Sequence, residues 1–132
     1  MIKGRCECDR VQFAVDGEIV DFSHCHCLQC RRLHGAAYAT FAGVKRDLFS
    51  YSAGANEVKV YASSTRNDRV FCGNCGSTIL VKPIDEPEFL YLSMSAIEGE
   101  PVLPQGYHAW VDSKAYWHEI ADDLEKFERN SD

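Results

Sequence analysis

Seven cysteines in 132 residues fall into three tight groups, and that grouping limits what the chain can become. Cys6 and Cys8 stand one residue apart, Cys25, Cys27 and Cys30 fit within six residues, and Cys72 and Cys75 bracket Gly73-Asn74. An odd count suits a disulfide framework badly. The density exceeds anything packing requires, and thiolates are soft ligands suited to tetrahedral zinc, with metal–sulfur bonds of about 2.3 Å. The set divides naturally into four and three. Cys6, Cys8, Cys72 and Cys75 suffice to close a structural site that joins the N-terminal strand to the middle of the chain. Gly73 and Gly76 suit a turn that needs positive φ beside a metal. In the other group, Cys27 and Cys30 have knuckle spacing, and Cys25 leaves the same face as Cys27 if the approach is extended. Three protein ligands leave a fourth position for water or substrate, the mark of a catalytic zinc site. Two other readings of these cysteines stay open. One is a centre closed by a histidine such as His24 or His34; the other is a dithiol–disulfide redox pair.

One domain over residues 1–132 is expected at this length. The net charge of −6 argues against nucleic acid as the default partner, because a phosphate-binding surface needs a basic excess. No run approaches the ~20 apolar residues of a membrane span. The opening residues, Met1 to Cys6, lead straight into a metal-type motif and do not read as a signal sequence. The expected location is therefore the cytoplasm, where thiols stay reduced. Oligomeric state has no signature in the sequence.

Alternation through Cys6, Cys8, Val11, Phe13 and Val15 predicts a strand, a hairpin at Asp16-Gly17 and a return strand over residues 18–23. Residues 29–34 allow one helical turn ended by Gly35. Residues 36–42 read as a buried strand, and residues 58–62 as another. Residues 69–71 and 78–81 flank the second knuckle as a zinc-ribbon-like hairpin with the cysteines at its tip. A further strand is expected over 88–94, a loop over 98–106, and a short strand over 108–111. Residues 113–124 are the best helix candidate, with Ser113 as N-cap and Ala115, Trp117, Ile120 and Leu124 as the apolar stripe. The charged residues 125–132 read as frayed. Tyr38, Phe41, Trp110 and Trp117 read as core. Short strands at roughly ten-residue spacing make a mainly β domain.

Several segments resemble the glutathione-dependent formaldehyde-activating enzyme family. They are Gly4-Arg5-Cys6-Glu7-Cys8, Cys25-His26-Cys27-Leu28-Gln29-Cys30-Arg31-Arg32, Tyr61-Ala62-Ser63-Ser64, and the stretch from Arg69 to Ser77. The tail from Pro104 to Asp122, with His108, Lys114-Ala115, Trp117 and Ile120, resembles it too. The resemblance implies a β-tent fold of antiparallel sheets pinned by zinc, to which the chain's own pattern adds a short C-terminal helix. It implies a structural zinc on Cys6, Cys8, Cys72 and Cys75, and a second, active-site zinc on Cys25, Cys27 and Cys30. Asp9 and Arg10 depart from the glycine that the family usually places after its first cysteine pair. The activity implied is that of a zinc-dependent carbon–sulfur lyase that joins glutathione, or a related thiol, to formaldehyde. For the two carboxylates of glutathione, Arg31, Arg32 and Arg69 are the main cationic candidates, with Lys45 and Arg46 behind them. For proton transfer the candidates are His24, His26, His34 and His108, and His108 is also a candidate for substrate binding. The alternatives are a non-catalytic zinc-binding scaffold of the same fold and a related small-molecule enzyme with another substrate.

Overall fold

Eleven short strands, one α-helix and four 3-10 turns lie within residues 1–130, the part of the chain that this computed structural model describes. The first sheet has three antiparallel strands. β1 (Ile2–Arg5) pairs with β2 (Gln12–Val15), and β5 (Phe49–Ala53) adds to the other edge of β2. The expected hairpin at Asp16-Gly17 does not form: the Asp16 amide donates to the Leu48 carbonyl, and the next strand leaves for the second sheet. The reversal lies one connection earlier, in the cysteine loop, where the Cys6 amide donates to the Val11 carbonyl at 3.0 Å. The alternation still assigned the faces correctly, since Val11, Phe13 and Val15 are all buried. Gly4 lies opposite Phe13, and its missing side chain lets the ring lie across the strand: a Cβ there would stand 2.1 Å from Phe13 Cζ.

The second sheet holds β3 (Asp21–Cys25), β4 (Ala39–Lys45), β6 (Val58–Ala62), β7 (Asn67–Cys72), β8 (Thr78–Pro83), β9 (Phe89–Ser93), β10 (Tyr107–Ala109) and β11 (Glu125–Lys126). Their spatial order is β11-β10-β3-β4-β9-β8-β7-β6. Pairing is antiparallel except at one edge, where β10 runs parallel to both β3 and β11. The expectation of wholly antiparallel sheets is corrected there. The chain reaches β10 by crossing back through the loop 98–106, and a long connection permits the parallel pairing that a tight turn forbids.

Phe13 and Val15 of the first sheet meet Val44, Val70, Leu80, Leu90 and Leu92 of the second in the main core. On the other face of the large sheet, helix α1 (Leu28–His34) packs Cys30 against Ala39, Phe41 and Val81. β4 is thus covered on both sides, which explains its unbroken run of buried residues from Phe41 to Val44. The helix is longer than the single expected turn. Cys27 caps its start, accepting from the Cys30 amide, and Gly35 closes it in the left-handed region at φ 58°.

The helix expected over 113–124 is absent. A single 3-10 turn, Val111–Ser113, is followed by irregular chain, and of the anticipated apolar stripe only Ala115 is buried. Trp117 lies on the surface, with Tyr116 beside it at 94% exposure, so no helical face has anything to pack against. Tertiary bonds hold the segment instead: Arg31 Nη1 donates to the Ser113 carbonyl, and Lys114 Nζ reaches the Ala115 and His118 carbonyls. Residues 125–126, expected to fray, pair with β10; residues 131–132 of that stretch lie outside the described residues. Substituting Gly4→Ala should lower unfolding stability by about 1–3 kcal/mol in a urea titration, because the Phe13 ring must leave its rotamer to admit one methyl.

Candidate metal centres

The seven cysteines lie in or at the ends of strand connections, and the tertiary structure gathers them into two sets. Cys6 and Cys8 occupy the β1–β2 connection, Cys72 ends β7 and Cys75 lies in the β7–β8 connection, and their four sulfurs lie within 4.8 Å of one another. Cys6 Sγ is 3.6 Å from Cys8 Sγ, which is 3.7 Å from Cys72 Sγ. Sulfurs bound tetrahedrally at about 2.3 Å from one zinc stand about 3.8 Å apart, whereas a disulfide would need about 2.0 Å. The spacing therefore fits a shared metal. The local backbone serves the sulfurs as well: the Val11 amide donates to Cys6 Sγ, and the Asn74 and Cys75 amides to Cys72 Sγ. The Ser77 hydroxyl, 3.1 Å from Cys75 Sγ, holds that thiol down at about 5, while burial pushes Cys6 up to about 11. Asp9 adopts φ 71° in this loop. That is the left-handed conformation for which glycine is the default, and a short Asp side chain is among the few that tolerate it.

The second set lies between β3 and β4. Cys25 ends β3, Cys27 caps α1, and Cys30 stands in its first turn; their three sulfurs also lie within 4.8 Å of one another. The Cys25 and Cys30 thiols and the Cys30 amide donate toward Cys27, and with Arg69 nearby they hold it well below the usual thiol range. The same sulfur contacts, with burial, push Cys25 up. One cluster that concentrates negative charge on a shared point is the chemistry a soft divalent cation answers. Among the described residues no histidine or carboxylate joins the three sulfurs. His24 Nδ1 is instead 2.9 Å from Thr40 Oγ1, and His34 rests edge-on against Phe41.

The histidines face the other way from the cysteines that flank them. His26 is fully buried behind β3, its Nε2 2.8 Å from His108 Nδ1, and His108 Nε2 is 2.9 Å from an Asp122 carboxylate oxygen. His108, expected to meet substrate, is only 1% exposed and sits inside this chain, so it braces β10 against the C-terminal segment. Burial pushes His26 and His34 down to about 4, out of the neutral range expected of a proton carrier, and lowers His24 as well.

The cationic candidates separate by position. Lys45 and Arg46 lie at the far end of β4 from Ala39, the residue paired with Cys25, roughly 20 Å along the strand, so they do not line the cluster. Arg31 is occupied by the Ser113 carbonyl and lies over Trp117 at 5.9 Å. Arg32, next on the same helix, is exposed. Arg69 is buried at 7% exposure with Nη2 3.5 Å from Cys30 Sγ and 3.2 Å from Gln29 Oε1, and its Nε is 3.4 Å from Ser63 Oγ. Gln29 and Ser63, whose roles depend on meeting Arg69 across the fold, carry no signal in the sequence beyond their neighbourhood to cysteine and serine motifs.

Among known proteins, the crystal structure of a Rhodobacter sphaeroides protein superposes with a TM-score of 0.62 at 25% identity, covering 74% of this chain and 89% of that one. A Halomonas elongata protein provisionally named a glutathione-dependent formaldehyde-activating enzyme is 28% identical over 128 residues, 91% of this chain and 81% of its own. An uncharacterized lyase of Schizosaccharomyces pombe is 33% identical over 78 residues, which are 58% of this chain and 54% of that protein. The sequence profile of the glutathione-dependent formaldehyde-activating enzymes matches residues 1–113, and with both cysteine sets falling inside that span, the chain belongs to this family.

Proposed function

We propose that this protein is a zinc-dependent carbon–sulfur lyase acting on glutathione or a related thiol adduct, of the type that forms S-hydroxymethylglutathione from formaldehyde. The observation that carries this reading is the three-sulfur set with no fourth histidine or carboxylate among the described residues, in a chain of this family. Cys25, Cys27 and Cys30 would hold the working zinc, and Cys6, Cys8, Cys72 and Cys75 the structural one. Zinc bound by three protein ligands supplies an open position where a thiol can bind as thiolate or a carbonyl be polarised. In the addition, the sulfur electron pair forms the S–C bond and the carbonyl π pair moves to oxygen. The proton lost by the thiol ends on that oxygen, so no oxidant or reductant is consumed. Three thiolate ligands outweigh a dication by one charge, which blunts Lewis acidity and favours the positioning of sulfur over activation of the carbonyl.

The chain's own residues shape that environment. Packing of Cys30 beneath α1 against Phe41 and Val81 closes the inner side of the cluster to water. Arg32, exposed on α1 with no ion pair or side-chain hydrogen bond among the described residues, is the cationic candidate left free to meet a substrate carboxylate from outside.

Native protein should contain two zinc ions per chain by elemental analysis. Cys27→Ser should keep the four-cysteine zinc while slowing thiol–formaldehyde adduct formation, followed by NMR exchange, at least about 100-fold, the upper end of what losing a mere supporting residue costs. An unchanged rate in a folded variant holding a single zinc would remove the catalytic role of the cluster. Arg32→Ala should raise KM for glutathione about 2–5-fold with kcat unchanged, as expected for one exposed ion pair; equal KM values would relocate the carboxylate contact.

A further inference from the structure

Arg69 is a buried cation whose charge no carboxylate among the described residues answers. It stands in β7, opposite Val81 and Tyr61, on the sheet face that α1 covers. Its polar neighbours are the neutral Gln29 side chain, the neutral Ser63 hydroxyl and Cys30 Sγ. His34, also nearby, is pushed down to about 4 by burial, with Arg69 adding to the shift, so it stays neutral and answers no charge. Among the described residues Arg69 forms no ion pair with an acid, although four other arginines do. Burying a guanidinium without counter-charge costs several kcal/mol, so the anion must come from the sulfur cluster or from something bound to it. Its Nη1 is buried and has no acceptor, which leaves one donor for an anion that the described chain does not provide.

Among the described residues no arginine side chain bonds a sulfur of the four-sulfur set. Backbone amides and the Ser77 hydroxyl surround those sulfurs, and Arg5, next to Cys6 in the chain, spends its guanidinium on the Cys6 carbonyl and the Glu98 carboxylate. A closed structural centre can remain anionic at a partly exposed surface. A centre that must admit a further thiolate cannot so easily, because each added negative charge in a buried site repels the next.

We propose that Arg69 is the built-in counter-charge of the three-sulfur centre and the positioning residue that lets it accept an anionic sulfur as fourth ligand. Three thiolates and a dication leave one negative charge, which Arg69 cancels. An incoming thiolate then meets a neutral assembly, with the free Nη1 donor available beside it. This departs from the sequence expectation that Arg69 grips a substrate carboxylate: it acts on the sulfur, whatever body the thiol carries. The inference rests on the proposed open position of this centre.

The full chain loaded with Co2+ tests it, since sulfur-to-cobalt charge-transfer absorption reports each thiolate bound. Titration with 2-mercaptoethanol, which has no carboxylate, and with glutathione should show both binding to the wild type. Arg69→Met should weaken both by about 10–100-fold and by equal factors, with Arg69→Lys recovering part of the loss and the four-sulfur absorption unchanged. Unchanged binding in Arg69→Met, or a loss confined to glutathione, would overturn the inference and leave the lyase reading standing. Absence of thiol binding to the wild type would overturn both. If Arg69→Met fails to fold, Gln29→Ala removes one acceptor from the guanidinium at a half-buried site, and should weaken both thiols about 2–10-fold. Identical binding in that variant would count equally against the inference.

Discussion

Sulfur atoms from two hairpin tips, sixty-odd residues apart, converge to within 4.8 Å, and the relation between the two sheets depends on that convergence. The three-stranded sheet meets the large one through Phe13, Val15 and their partners, an apolar contact without directional preference. The cysteine loops add direction. Each loop is a strand connection whose amides already point at the sulfurs, so little backbone must be reorganised to close the set. Metal binding of this kind contributes directly to folding, because no such site exists in the unfolded chain.

The two sulfur sets differ in what surrounds them, and the difference follows from which elements carry them. The four-sulfur set joins two loops at an edge, with Cys75 half-buried and hydroxyl and amide donors around it. The three-sulfur set sits where a strand turns into a helix and is overlaid by the next strands, so Cys30 is buried and a cation from β7 reaches it. Behind the same strand, period-two alternation sends His24 and His26 to the opposite side from Cys25 and Cys27. There the His26–His108–Asp122 chain ties β3 to β10 and to the C-terminal segment. Asp122 lies beyond residue 113, where the family profile stops.

Much of this was legible in the residues. Knuckle spacing separated the cysteines into four and three, and the hairpin around Cys72 and Cys75 was readable because turn glycines and flanking apolar runs are local signals. The misreadings have a common cause. Asp16-Gly17 looks like a tight hairpin turn, but β2 finds β1 and β5 as partners, so its chain continuation is free to leave. Residues 113–124 carry helical spacing without a surface to bury it, and contacts from Arg31, His108 and Lys114 decide their course. Trp117 was expected inside and lies outside for the same reason.

The sequence by itself determined the soft-donor character of the clusters, the grouping of the cysteines and the mainly β character, because each depends on residue type and spacing over a few positions. Only the tertiary structure decided that Arg69 is buried against Cys30, that His108 faces away from the cluster, and that β10 runs parallel to β3. Those outcomes depend on pairs separated by 39, 82 and a similar number of residues, and their energies arise from burial and charge that no local pattern records.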